Sequence, residues 1–218
     1  RSNEDAAKAV VDSIVRSGGV AAAFPADLGA ASDPDVATRL IDDVVNQWGR
    51  VDGLVQCSAM QSLQPFDELH DSDWQAMWEA NLLAATRMSR AALAVMAPGG
   101  SIVNISSVEA SAAFANHAHY AASKAALESF TRSLAREIGP RGMRANCVAP
   151  GLIAREGLER DWPQGWSWWS EVAPSGRPVS QDEVAGVVSF LLSSQASGIN
   201  GAVIPVDGGW SASARTTF

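Results

Sequence analysis

Five short runs of β-branched and small apolar residues, set between longer stretches of helical periodicity, constrain this chain more than any other feature. The runs fall at residues 20–26, 51–59, 101–106, 145–149 and 202–206. Each is apolar nearly end to end, as parallel strands buried on both faces are. Strands alternating with helices through right-handed crossovers give an α/β fold with a doubly wound parallel sheet. Helix signals fall between the runs. Ser2-x-x-Asp5 opens the first helix like a capping box. Asp33 and Pro34 read as N-cap and N1 of a second, ending near Trp48-Gly49. Ser72-x-x-Gln75 starts a long third helix that reaches about Met96. A fourth runs from His119 to Ile138 and stops at Gly139-Pro140, and Ser180-x-x-Glu183 caps a fifth, to about Leu192.

No internal repeat, low-complexity tract or linker divides the 218 residues, so residues 1–218 are expected to form one domain. Residues 150–178 break the pattern. They read as a long irregular loop and hold Trp162, Trp166, Trp168 and Trp169, half of the eight tryptophans. Such loops in compact domains are functional or disordered, and four tryptophans argue against disorder. The segment leaves the carboxyl end of a strand, where open α/β sheets bind ligands. A substrate lid is the reading adopted, with a subunit interface or plain core as the alternatives. A lid of this kind suits an apolar or cyclic substrate.

Composition excludes several classes. With 24 acidic against 16 basic residues the net charge is −8, which does not provide the basic footprint that nucleic acid requires. No apolar run reaches the roughly 18 residues of a membrane-spanning helix. The opening Arg-Ser-Asn-Glu-Asp is polar and is no signal peptide. A soluble cytoplasmic protein is expected. Cys57 and Cys147 both lie in apolar runs and read as buried free thiols in a reducing compartment.

The chemistry is concentrated at Tyr120, the only tyrosine. Lys124 follows at i+4, on the same helix face, about 5–6 Å away at Cβ. An ammonium so close favours phenolate and should lower the tyrosine pKa. A tyrosine so tuned can exchange a proton with a substrate oxygen near neutral pH. Ser107 ends the third apolar run, where its hydroxyl can donate to the same oxygen. Tyr-x-x-x-Lys alone is weak, since most such pairs are solvated helix neighbours; the combination with Ser107 is more specific. His117 and His119 flank Tyr120 but have no cysteine or carboxylate cluster beside them, so no metal is assigned. Glu109 lies within reach of a polar substrate group, although a solvated loop carboxylate is the reading preferred.

These residues resemble the short-chain dehydrogenase/reductase family, and the likeness covers essentially the whole chain. Ile102-Val103-Asn104-Ile105-Ser106-Ser107 is similar to the family's serine strand, and residues 120–127 to its catalytic helix. Asn81 matches a helix asparagine that holds a water in a proton relay. Pro150-Gly151-Leu152-Ile153 matches the turn after the next strand, Asp207-Gly208-Gly209 the C-terminal motif, and Asp27-Leu28 the pair beside the adenine. The resemblance implies a Rossmann-like fold and hydride exchange with NAD or NADP, with the preference between them unread. It implies Tyr120 as general acid/base, Ser107 orienting the substrate oxygen, Lys124 on the ribose and Asn81 in the relay. Asp27, Leu28, Gln56, Ser58, Tyr120, Lys124, Pro150, Gly151 and Ile153 are the implied cofactor contacts. A homodimer or homotetramer is implied too, with residues 207–210 near an interface. The expected reaction interconverts a secondary alcohol and a ketone. A dehydrogenase of cyclic dihydrodiols and a non-catalytic relative acting through protein contacts are the alternatives.

Three departures stand out. No Gly-x-Gly occurs anywhere, whereas dinucleotide folds place a glycine-rich turn after the first strand. The chain opens at what reads as the end of a second strand, so a truncated or partly recorded chain is expected, with the first βαβ unit partly missing. The family's Asn-Asn-Ala-Gly reads Gln56-Cys57-Ser58-Ala59, and a frequent threonine aligns with Arg155. Arg155 can meet a phosphate or an acidic group; a solvated loop arginine is the competing reading.

Overall fold

A computed structural model describes residues 4–28, 33 and 35–213. In chain order the elements are α1 (Glu4–Arg16), α2 (Val36–Trp48), β1 (Gly53–Gln56), α3 (Asp71–Trp78), α4 (Ala84–Val95), β2 (Ser101–Ile105), α5 (Ala118–Ile138), β3 (Arg144–Pro150), α6 (Leu158–Asp161), α7 (Pro163–Val172), α8 (Gln181–Leu192) and β4 (Val203–Val206). The four strands are parallel and lie in the order β1-β2-β3-β4. Parallel neighbours need long crossovers, and helices supply them here.

Strand alternation assigns the two faces. Ile102 and Ala145 join Met88 of α4 and Leu134 and Ile138 of α5 in one core. Val103 and Val148, at alternate positions on the same two strands, join Val184 and Leu191 of α8 in the other. The sheet is therefore covered on both sides, as a doubly wound fold requires. β3 is buried at every residue. Its one amide is bonded at both ends: Asn146 Nδ2 donates to the Ile199 carbonyl at 2.8 Å, and Oδ1 accepts from the Ala202 N–H at 3.0 Å. The Ser180 cap holds as expected. Ser180 Oγ accepts from the Glu183 N–H at 3.1 Å, and the Glu183 carboxylate accepts from the Ser180 N–H at 2.7 Å.

Several expectations are corrected. Residues 20–26 form no strand. β1 pairs only with β2 among the described residues, and a strand exists only where a neighbour takes its ladder bonds. Val20 is left 79% exposed, and Phe24 sets its ring edge-on to Trp48, 5.8 Å between centroids. The third helix starts at Asp71, not Ser72; the Asp73 carboxylate accepts from the His70 N–H at 2.9 Å. It also changes character at Glu79–Leu83, where a π-helical turn separates α3 from α4. α2 begins after Asp35, while Asp33 pairs with Arg39; Pro34 and Ser2 lie outside the described residues. Residues 150–178 are not irregular, since α6 and α7 occupy much of them. Pro163 conceals α7 in the sequence, yet it sits at the helix start, where its missing N–H costs nothing. Among the described residues no helix is long and apolar enough to cross a membrane.

Candidate active site

β2 ends at Ile105, and the chain leaves the sheet through Ser106 and Ser107. Ser107 is extended, and its Oγ accepts from the Glu109 N–H at 3.2 Å, starting a short 3₁₀ turn. Backbone geometry thus fixes the hydroxyl at the carboxyl end of the sheet. α5 begins two residues before Tyr120 and lays Tyr120, Ser123 and Lys124 along its buried face. Ser107 and Tyr120 line the same cavity.

A cavity of about 640 Å³ opens at this point. Ser107, Tyr120 and Lys124 line it beside Pro150, Gly151 and Ile153 of the turn after β3. Leu63, Phe114, Trp162, Trp168 and Trp169 form its apolar wall, and Glu109 and His117 add polar groups. A second cavity of about 380 Å³ takes Leu28, Gln56, Ser58 and Asn81 into its lining, with Leu40 and Leu54. Cys57 belongs to both, so the two meet there. Cys57 is exposed rather than buried: the chain leaves the sheet at Gln56 and carries it into the cleft. Cys147 is buried as expected, and burial pushes its thiol up to about 12.

The electrostatics reverse one expectation. Burial pushes Tyr120 up to about 12, the Ser107 hydrogen bond pulls it partly back, and Glu109 pushes the same way as burial. Lys124 does not offset this. Its Nζ donates to the Ile105 carbonyl at 2.8 Å and stands 5.7 Å from the centroid of the Tyr120 ring. Burial in turn lowers the Lys124 pKa. Desolvation therefore outweighs the i+4 ammonium, and the resting group is a phenol.

The structure places the other anticipated residues unevenly. Asn81 sits in the π turn, and its side chain is committed: Oδ1 accepts from the Met60 N–H at 2.7 Å, while Nδ2 donates to the Met60 carbonyl and to Ser123 Oγ, both at 2.9 Å. It clamps the 57–64 segment to α5 instead of presenting a free amide. Gln56 is also turned inward, with Nε2 donating to Asn104 Oδ1 at 2.8 Å, Ser89 Oγ at 3.0 Å and the Ala85 carbonyl at 3.1 Å. Asp27 is exposed and lies in the lining of neither cavity. Arg155 pairs with Asp161 at 2.8 Å. His119 is buried, with Nε2 at 2.9 Å from Ser62 Oγ.

The Trp segment divides. Trp162, Trp168 and Trp169 face the large cavity, whereas Trp166 lines a separate surface depression. Trp169 is 3% exposed and stacks on Trp210 at 5.3 Å and 12°. A Cβ on Gly151 would overlap the Trp169 ring, so the Pro-Gly turn is shaped by this indole. Sequence reading missed the Glu109–His117 ion pair, which is largely buried and not solvated. His117 lies one helical turn before Tyr120, and that spacing was the available signal.

Comparison with known proteins follows the same outline. The family profile described as enoyl-(acyl carrier protein) reductase matches residues 1–211. An uncharacterized oxidoreductase of Methylorubrum extorquens is 34% identical over 211 residues, 95% of this chain and 84% of that protein. A short-chain dehydrogenase/reductase from Serratia marcescens superposes with a TM-score of 0.90 at 31% identity, covering 96% of this chain and 84% of that one. A blue fluorescent protein from a metagenomic library, solved in complex with NADPH, gives 0.87 at 33% identity, covering 95% and 83%.

Proposed function

The chain belongs to the short-chain dehydrogenase/reductase family of oxidoreductases, and on that footing we propose that it interconverts a secondary alcohol and a ketone with NAD or NADP, using Tyr120 as general acid/base. One observation carries the reading. Tyr120, Ser107 and Lys124 line one wall of a cavity whose next wall is the Pro150-Gly151-Ile153 turn.

Two cavities that share Cys57 in their linings support dinucleotide binding. The smaller is walled by Leu28, Leu40 and Leu54, a lining suited to a flat base. The larger holds the donors of Tyr120, Ser107 and Lys124. Leu28 and Ser58 would border the adenine lobe, and Gly151 and Ile153 the nicotinamide lobe. Gln56 would support the wall through its three internal bonds, and Asn81 through its clamp on Met60. The bound nicotinamide supplies a hydride acceptor or donor.

The chain's own residues then handle the proton. In reduction the Tyr120 phenol donates its proton to the carbonyl oxygen as hydride reaches the carbon. The Ser107 hydroxyl donates a hydrogen bond to that oxygen while negative charge builds. In oxidation the Tyr120 phenolate takes the alcohol proton, the C–H bond gives up hydride, and the C=O bond forms. The Lys124 ammonium stabilises phenolate whenever the proton has left Tyr120. The apolar wall suits a small apolar or cyclic substrate.

Titration of the purified chain with NADH and NADPH, followed by energy transfer from tryptophan, tests the cofactor. Saturable transfer with at least one of them is expected, and binding of neither would overturn the reading. Tyr120→Phe should lower turnover by about 10²–10⁴-fold while cofactor affinity stays near normal. Retained turnover would remove Tyr120 as the acid/base.

A further inference from the structure

The Glu109–His117 pair is not needed for the proton transfer just described, yet it stands in the same cavity. Its placement is built. The chain turns at Asn116, the only described non-glycine residue with positive φ, at 65°. Asparagine tolerates that left-handed conformation better than most residues. The Asn116 carbonyl accepts from the Gln64 N–H at 3.0 Å, which ties the turn to the opposite rim. His117 then becomes the residue that opens α5, one turn before Tyr120. The two rings meet edge to face, 6.2 Å between centroids and at 85°.

Hydrogen bonding leaves one side of the pair open. His117 Nδ1 is bound to Glu109 Oε2. The other carboxylate oxygen is held only loosely, by Gln61 Nε2 at 3.4 Å. His117 Nε2 has no hydrogen-bond partner among the described residues, and it is not among the sealed, unpartnered buried atoms. With a carboxylate bonded to the ring, the pair does not single out anions. It offers a donor–acceptor edge to a neutral hydroxyl. Beside His117 lies Phe114, 6.2 Å between ring centroids, and Trp168 stands edge-on to Phe114; the two favour an apolar body.

We propose that His117, oriented by Glu109, binds a second oxygen on the carbon next to the reacting one, so that the preferred substrate is a vicinal diol, or its α-hydroxy ketone, attached to an apolar ring. This rests on the oxidoreductase reading above. One oxygen meets Tyr120 and Ser107, and the other meets His117 Nε2, each within hydrogen-bond reach of about 3 Å. The ring lies against the aromatic wall. Without the second hydroxyl, the polar edge of His117 would be desolvated and left unpaired, which is how a site rejects an analogue lacking a hydroxyl.

The test compares indane-1,2-diol with indan-1-ol on the purified chain. Turnover is measured with NAD and NADP, and binding without cofactor is followed by tryptophan fluorescence. The native chain should favour the diol by about tenfold or more, in kcat/KM and in Kd. Glu109→Gln keeps the size of the side chain, and His117→Phe keeps an aromatic ring but removes Nε2; each should bring both ratios toward one. Equal use of the two compounds by the native chain, or a diol preference that survives His117→Phe, would overturn the proposal. Failure to bind either nicotinamide would sink the oxidoreductase reading instead, and the cofactor-free Kd ratio would still judge the pocket.

Discussion

The two ends of the described chain obey different rules. Between residues 101 and 213, β3 is buried along its whole length and carries helices on both faces. Between residues 4 and 56, α1 buries no residue, and Val10, Ile14 and Val15 all face outward. Residues 20–26 have the composition of a strand and none of its pairing. The contrast teaches that apolar patterning supplies only the capacity for a strand; a neighbour's hydrogen bonds and a covering layer make it one. Tyr120, Ser107 and Lys124 all belong to the covered part. Their burial sets their chemistry.

Substitutions should rank by that contrast. Leu191 is fully enclosed between α8 and the sheet, so Leu191→Ala should cost about 2–5 kcal/mol. A shift in denaturant midpoint at constant slope reads this, and a cost near zero would break the comparison. Tyr120 gives the next test. As the only tyrosine, it alone contributes tyrosinate absorbance. That signal should appear near pH 12 and not near the ordinary value of 10. The sign for stability follows. Above pH 10 the unfolded chain has released the phenolic proton and the folded chain still holds it, so stability falls as pH rises toward 12. Tyrosinate appearing well below pH 10 would mean that Lys124 prevails over burial after all. Gly151→Ala should cost about 1–3 kcal/mol by forcing the Trp169 ring aside, with a matching change in tryptophan emission. Val10 is exposed on α1, and Val10→Ala should cost less than about 0.5 kcal/mol. A larger loss would show that α1 is held by contacts the described residues do not make.

Much of this was legible in the sequence. The strands β2, β3 and β4 follow from their apolar runs, and α5 and α8 from their stop and cap signals. Ser107, Tyr120 and Lys124 come together as their spacing and the family likeness implied. What was lost depended on tertiary neighbours. The run at 20–26 has no strand partner among the described residues. Glu109 looked solvated because nothing local shows that the 109–117 turn folds it against His117. The Tyr120 pKa was misread because the ammonium is visible in the sequence and the desolvation is not. Gln56 and Asn81 were read as a cofactor contact and a relay residue; both line the second cavity, and only the packed structure shows their bonds to Asn104, Ser89 and Met60.

The π turn at Glu79–Leu83 acts as a phase slip in a periodic signal. Apolar positions on a helix repeat at about 100° per residue, and the wider turn inserts one residue of extra phase. α3 therefore presents its contact face to α5, while α4, continuing the same rod, presents its own to α2 and β1. One helix thereby serves two differently oriented walls, with Asn81 at the node between them. Removing a single residue from this turn would restore the regular period and leave α4 on its core through Met88 and Ala92, but would take away the bulge that sets Asn81 between Met60 and Ser123.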